Sequence, residues 1–158
     1  MLGAHSGAEA AGNALGIIDD GQILLDGDGR NRIIEYEGAN AEIIPHEAAD
    51  SIGNDIDLLM IQFETNEDSV IKCVNRAIEN NITTVIDCGP AKDFNLEQMK
   101  GATTLPPNES ETEALTGIYP KDENAIRSAS QILKIRSEAK YIVLKLGDRG
   151  CSLYDGEM

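Results

Sequence analysis

The chain has 158 residues, 41% of them hydrophobic and 26% charged, which suits one globular domain with a packed core. Its formal net charge of −15, with only 13 scattered basic residues, argues against a nucleic-acid or anionic-membrane partner, since such surfaces need clustered Lys and Arg. The acidity reads as solubility or adaptation to salt, and any phosphate held here would depend on Mg²⁺, helix N-termini and a few placed cations.

Residues 1–15 are rich in Gly and Ala without apolar period and are expected to be a loose segment. Between 16 and 45, two β-prone runs, Gln22–Leu25 and Arg32–Tyr36, flank the turn formers Asp26–Asn31 and predict a hairpin. Asp26, Asp28 and Glu37 superficially resemble a calcium loop. Arg30 at a ligand position and Asn31 where Gly is required reject it.

From 46 to 158, strands alternate with helices. Asp57–Phe63 is a continuous apolar run, expected to be a strand buried on both faces. Val70, Val74, Ala77 and Ile78 recur at helical spacing until Asn80-Asn81, and Ile82–Asp87 reads as the next buried strand, closed by Cys88-Gly89-Pro90. A short helix at Asn95–Lys100, a brief strand at Ala102–Leu105 and a helix over Asn108–Leu115 follow. A longer helix spans Glu123–Ile135, Tyr141–Leu146 is a strong strand, and Cys151–Tyr154 its hairpin partner. Such alternation implies right-handed crossovers, a mainly parallel sheet and ligands beyond the strands' carboxyl ends.

No stretch approaches the apolar length of a membrane span, and the start Met1-Leu2-Gly3-Ala4-His5 lacks a signal-peptide pattern. Cys73, Cys88 and Cys151 read as buried free thiols of a reducing cytoplasm, and His5 and His46 have no partner at zinc-ligand spacing.

Four strand ends carry candidate chemistry. Asn108 with Glu111 three residues on is first a helix-capping pattern, but the added carboxylate of Glu109 makes the place plausible for hydrated Mg²⁺. Leu146-Gly147-Asp148-Arg149-Gly150 could be a plain turn, yet freed backbone N–H groups beside Lys145 and Arg149 would suit nucleotide phosphates. Glu64, at the end of an apolar strand, suits sugar hydroxyls as well as it suits solvent. Gly38-Ala39-Asn40-Ala41 is a small-residue turn without its own signal.

The order Gly38-Ala39-Asn40, Leu59–Glu64, Cys88–Ala91, Pro107–Ala114, Leu115-Thr116-Gly117 and Leu146–Gly150 resembles the ribokinase-like carbohydrate kinases across about 13–157. The resemblance implies an α/β, three-layer, mainly parallel fold, incomplete at both ends, with the hairpin as part of a β-lid. It implies phosphoryl transfer from ATP to a sugar hydroxyl, with ribose the expected acceptor. Asn108 would contact nucleotide phosphate and Glu111 would organise Mg²⁺, often through water. Lys145, Gly147, Asp148, Arg149 and Gly150 would lie along ATP, and Glu64 would bind the sugar.

Two local departures stand out. Lys145 stands where the family commonly has Thr, and Asp87-Cys88-Gly89 replaces the more usual Asn-Pro-x, an alteration expected to touch only a loop. Neither a Gly-Gly-x-x-x-Asn segment nor the Gly-Ala-Gly-Asp segment that carries the family's catalytic Asp occurs in these 158 residues. The expectation is therefore a sugar-kinase fragment, inactive alone, with a non-catalytic nucleotide- or sugar-binding remnant as the alternative. A third reading makes every strand-end feature structural. Uncovered sheet edges and apolar surface would favour homo-oligomers.

Overall fold

The computed structural model describes residues 15–18, 21–25, 27, 31–35 and 38–157, and they fall into two compact units, divided between Ala41 and Glu42. In the first unit, β1 (Leu15–Ile18), β2 (Gly21–Leu25) and β3 (Asn31–Glu35) form an antiparallel sheet in that order. β2 and β3 pair from Gly21↔Glu35 to Leu25↔Asn31, while β1, an element absent from the sequence expectation, pairs with the other side of β2. Tyr36 and, of the rejected calcium loop, Asp26, Asp28, Arg30 and Glu37 lie outside the described residues.

After a 3₁₀ turn at Gly38–Glu42, where the sequence offered a small-residue turn, the second unit includes a short helix α1 (Pro45–Asp50) that was unforeseen. Its five-stranded sheet runs β4 (Leu58–Gln62), β5 (Thr83–Asp87), β6 (Thr104–Leu105), β7 (Tyr141–Lys145), β8 (Cys151–Tyr154). The first four strands are parallel, and β8 returns antiparallel to β7. The crossovers are α2 (Glu67–Glu79), then a 3₁₀ turn at Leu96–Met99, then α3 (Glu109–Thr116) and α4 (Glu123–Ser137).

The three long crossover helices each start on a short polar side chain that satisfies an otherwise unpaired N–H. Side-chain oxygens of Asn66, Asn108 and Asp122 accept from Ser69, Glu111 and Ala125 N–H at 2.9 Å each. Val70 and Val74 of α2, Leu115 of α3 and Ala129 and Leu133 of α4 pack on Ile86, Leu105, Ile142 and Leu144 of the sheet, while Ala77 of α2 packs with Ile52, Cys73 and Ile82. Phe63 and Phe94 stack 3.8 Å apart within the same core. β6 is too short to pair widely with β5, so Thr84 and Thr103 extend the junction by exchanging backbone-to-hydroxyl bonds of 2.7 and 3.1 Å.

The expectation that Asp57–Phe63 is buried on both faces is overturned. Alternate residues of β4 face away from the helices, leaving Leu58 49% and Met60 70% exposed. Thr83 and Val85 of β5 share that open face, and on β8 Leu153 is 64% exposed. The cause is local. Among the described residues of this unit, the helices cover one face of the sheet, and β4 is an edge with no outer neighbour. The α/β, mainly parallel architecture is thus present in incomplete form.

Candidate active site

The carboxyl ends of the parallel strands bring together residues far apart in sequence. Asp87 ends β5, Lys145 ends β7, and the Lys145 Nζ stands 3.0 Å from Asp87 Oδ1. Gln62, the last residue of β4, donates to Asp87 Oδ2 at 3.4 Å. A depression of roughly 400 Å³ lies beside them, lined by Met60, Gln62, Val85, Asp87, Pro106 and Lys145. Lys145 is also fixed through its backbone, which donates to Pro107 O at 2.8 Å.

Asn108 and Glu111 form a complete capping box at the start of α3. Glu111 N–H donates to Asn108 Oδ1, and Glu111 Oε2 accepts from Asn108 N–H at 2.7 Å. Glu111 Oε1 accepts from Asn108 Nδ2, also at 2.7 Å. Glu111 is only 6% exposed. The loop after β5 lies over it: a β-carbon at Gly89 would stand 3.4 Å from Glu111 Oε1. Lys145 Nζ is 3.8 Å from Glu111 Oε2, so one ammonium faces both carboxylates.

Burial works against the Lys145 charge, but the hydrogen bond to Asp87 and the charges of Glu111 and Asp87 outweigh it and raise the ammonium above its ordinary range. The buried Cys88 thiol is pushed well up by burial first, then by Glu111 and Asp87, and is held as an inert thiol.

The Gly147–Gly150 segment is a closed turn. Gly147 (φ 59) and Gly150 (φ 83) both take the left-handed backbone that other residues resist. Leu146 N–H bonds to Gly150 O and Gly150 N–H to Gly147 O, which uses part of the turn's own donor set. Arg149 reaches across to Glu109 Oε1 at 3.2 Å and to the carbonyls of Pro120 and Lys121. Glu109 is thereby drawn to Arg149, and the two carboxylates of the first turn of α3 part company. Asp148 is exposed on the same turn, and Glu64 is half-buried on the turn after β4, outside the lining of the depression.

A direct magnesium site does not fit these residues. Both oxygens of Glu111 accept from Asn108, and among the described residues no group of three His, Cys, Asp or Glu could hold a metal. Asp87 and Gln62 are site residues that the sequence reasoning missed. A signal for Asp87 exists, since it ends a buried strand where the resembling family has Asn, but in sequence alone that exchange reads as a loop change.

The model of the pfkB family carbohydrate kinases matches residues 22–158. The chain belongs to that family. Ribokinase of Staphylococcus aureus is 31% identical over 132 residues, a match covering 81% of this chain and 42% of that protein. The bifunctional ribokinase/ribose-5-phosphate isomerase A of Fructilactobacillus sanfranciscensis is 32% identical over 130 residues, covering 81% of this chain and 24% of the relative. The structure of Arabidopsis thaliana ribokinase, complexed with ribose and ATP, superimposes with a TM-score of 0.71 at 25% identity, covering 86% of this chain and 45% of that one. Thermotoga maritima ribokinase superimposes with a TM-score of 0.64 at 29% identity, with 86% and 44% covered. This pfkB-family chain therefore spans less than half the length of each of these relatives.

Proposed function

We propose that the chain carries the nucleotide side of an ATP-dependent sugar kinase, which transfers the terminal phosphoryl of ATP to a sugar hydroxyl, ribose being the acceptor. The observation that carries this reading is the placement of the capped start of α3, the Gly147–Gly150 turn and the depression beside Lys145 at one end of a parallel sheet. The names of the relatives support ribose and ATP as ligands. In this reading the Asn108 amide and the N-terminus of α3 face nucleotide phosphate, Lys145 and residues 147–150 border the nucleotide, and Glu64 contributes to the sugar site. The hairpin of β2 and β3 serves as part of a lid over the sugar. Three free cysteines, Cys73 and Cys88 buried and Cys151 exposed where burial was expected, support a reducing, cytoplasmic setting. The open sheet face supports homo-oligomers, a second copy covering Leu58, Met60 and Leu153.

Phosphoryl transfer rests on positioning and charge stabilisation, and an oxyanion donor alone is worth about 3 kcal/mol. These 158 residues contain no Gly-Ala-Gly-Asp segment, so binding without turnover is expected of them. The test is a pair of measurements on the purified chain: calorimetric titration with ATP, and a coupled assay of ATP consumption with D-ribose. ATP binding that weakens severalfold in Asn108→Ser, with no ribose-dependent turnover, is the expected result. Ordinary turnover would overturn the inactivity, and no ATP binding at all would overturn the nucleotide site.

A second reading, a non-catalytic remnant that binds nucleotide or sugar, is favoured by one observation. Arg149 and Lys145, the cations nearest the turn, are both engaged by protein carboxylates. Ribose binding with millimolar or weaker ATP binding would select it.

A further inference from the structure

The two departures noted in the sequence meet in space. Lys145 and Asp87, 58 positions apart, form one ion pair of 3.0 Å, and the same ammonium lies 3.8 Å from buried Glu111. Where the resembling family commonly has a neutral Asn and Thr, this chain has an acid and a base facing each other. Each carboxylate has further partners: Gln62 donates to Asp87 Oδ2, and Asn108 donates to both oxygens of Glu111. A carboxylate as buried as Glu111 needs a countercharge, and Lys145 supplies it.

We propose that the Lys145 ammonium is a resident cation that occupies the place between Asp87 and Glu111 and keeps a divalent ion out of it. An ion centred on the Nζ position would stand 3.0 and 3.8 Å from the two carboxylate oxygens. Those separations exceed the ~2.0–2.6 Å of direct Mg²⁺ or Ca²⁺ ligation, and the shorter one is too close for a bridging water. What fills the place between the two carboxylates is a side chain, and a divalent ion would have to displace it to take ligands from either. A second cation entering beside the ammonium meets repulsion at a few ångströms, without a free carboxylate oxygen to offset it. With the ammonium in place, Asp87 and Glu111 together keep one net negative charge instead of two.

This deepens the ATP-site reading and rests on it for the ion's purpose, yet its test needs no nucleotide. Mn²⁺ alone is titrated into the purified chain, with free Mn²⁺ followed by electron paramagnetic resonance. The wild type is compared with Lys145→Thr, Lys145→Arg and the double variant Lys145→Thr/Asp87→Asn. Lys145→Thr is expected to bind Mn²⁺ about tenfold more tightly than the wild type. Lys145→Arg keeps the charge and stays at the wild-type level, and the double variant loses the gain. Equal binding by the wild type and Lys145→Thr overturns the proposal, as does a gain that survives in the double variant. A thermal melt checks each fold; if Lys145→Thr does not melt cooperatively, Lys145→Met, which keeps the stem length, takes its place with the same expectation. ATP binding by none of the variants, with the Mn²⁺ pattern intact, would sink the ATP-site reading and leave this one standing.

Discussion

Asn108 illustrates how one residue can answer to two demands. Its side chain accepts the Glu111 N–H and donates to Glu111 Oε1, closing the first turn of α3 while fixing a buried carboxylate. Replacing it with Ala removes the cap and one partner of Glu111, and is expected to cost about 1–2 kcal/mol in urea unfolding. Asn108→Ser retains an N-cap oxygen and should stay within about 1 kcal/mol of the wild type, so a loss of ATP affinity in that variant reports on the ligand rather than on the fold. The cap was legible in the sequence because Asn-x-x-Glu is a local pattern that local physics decodes. The Asp87–Lys145 pair was not, because its members sit on different strands and only the sheet's order brings them together.

Among the elements, the last turn of α4 is joined to its neighbours most widely by one residue. Arg136 Nε donates to Glu97 Oε1 at 2.7 Å, and its other nitrogens donate to the carbonyls of Leu115 and Phe94. One guanidinium thus holds α4, α3 and the 3₁₀ turn at Leu96–Met99 together. Arg136→Met keeps the stem and loses the donors, so a loss of about 1–2 kcal/mol is expected, read as a lower melting temperature. The pH dependence has a definite sign. The hydrogen bond from Arg136 holds the Glu97 carboxyl below its ordinary range, so its small contribution is complete above that range. It is lost as pH falls below the ordinary carboxylate range, and salt weakens it because Glu97 is half exposed. The end of α2, the start of α4 and the span of β8 were readable in the sequence. The short α1 was missed because six residues carry too little period, and β1 because four residues after a Gly- and Ala-rich stretch give no alternation to read.

At the largest scale, the one-sided helix layer among the described residues of the second unit is the dominant fact. The apolar run at β4 suggested two buried faces, but hydrophobicity alone cannot say whether a cover is present; Leu58 and Met60 meet none in this unit. Exposed apolar side chains on an edge strand favour association. Met60→Lys is expected to lower the concentration-dependent mass seen by light scattering, whereas a wild-type chain that stays monomeric at high concentration would refute self-association.

The two-residue strand β6 has a consequence of another kind. With Thr104 and Leu105 alone bridging β5 to β7, the sheet has a narrow waist. To one side stand β4 and β5 beneath α2, to the other β7 and β8 beneath α4. Amide exchange should therefore sort into two cooperative blocks that open separately, and the Thr84–Thr103 bonds form the latch between them.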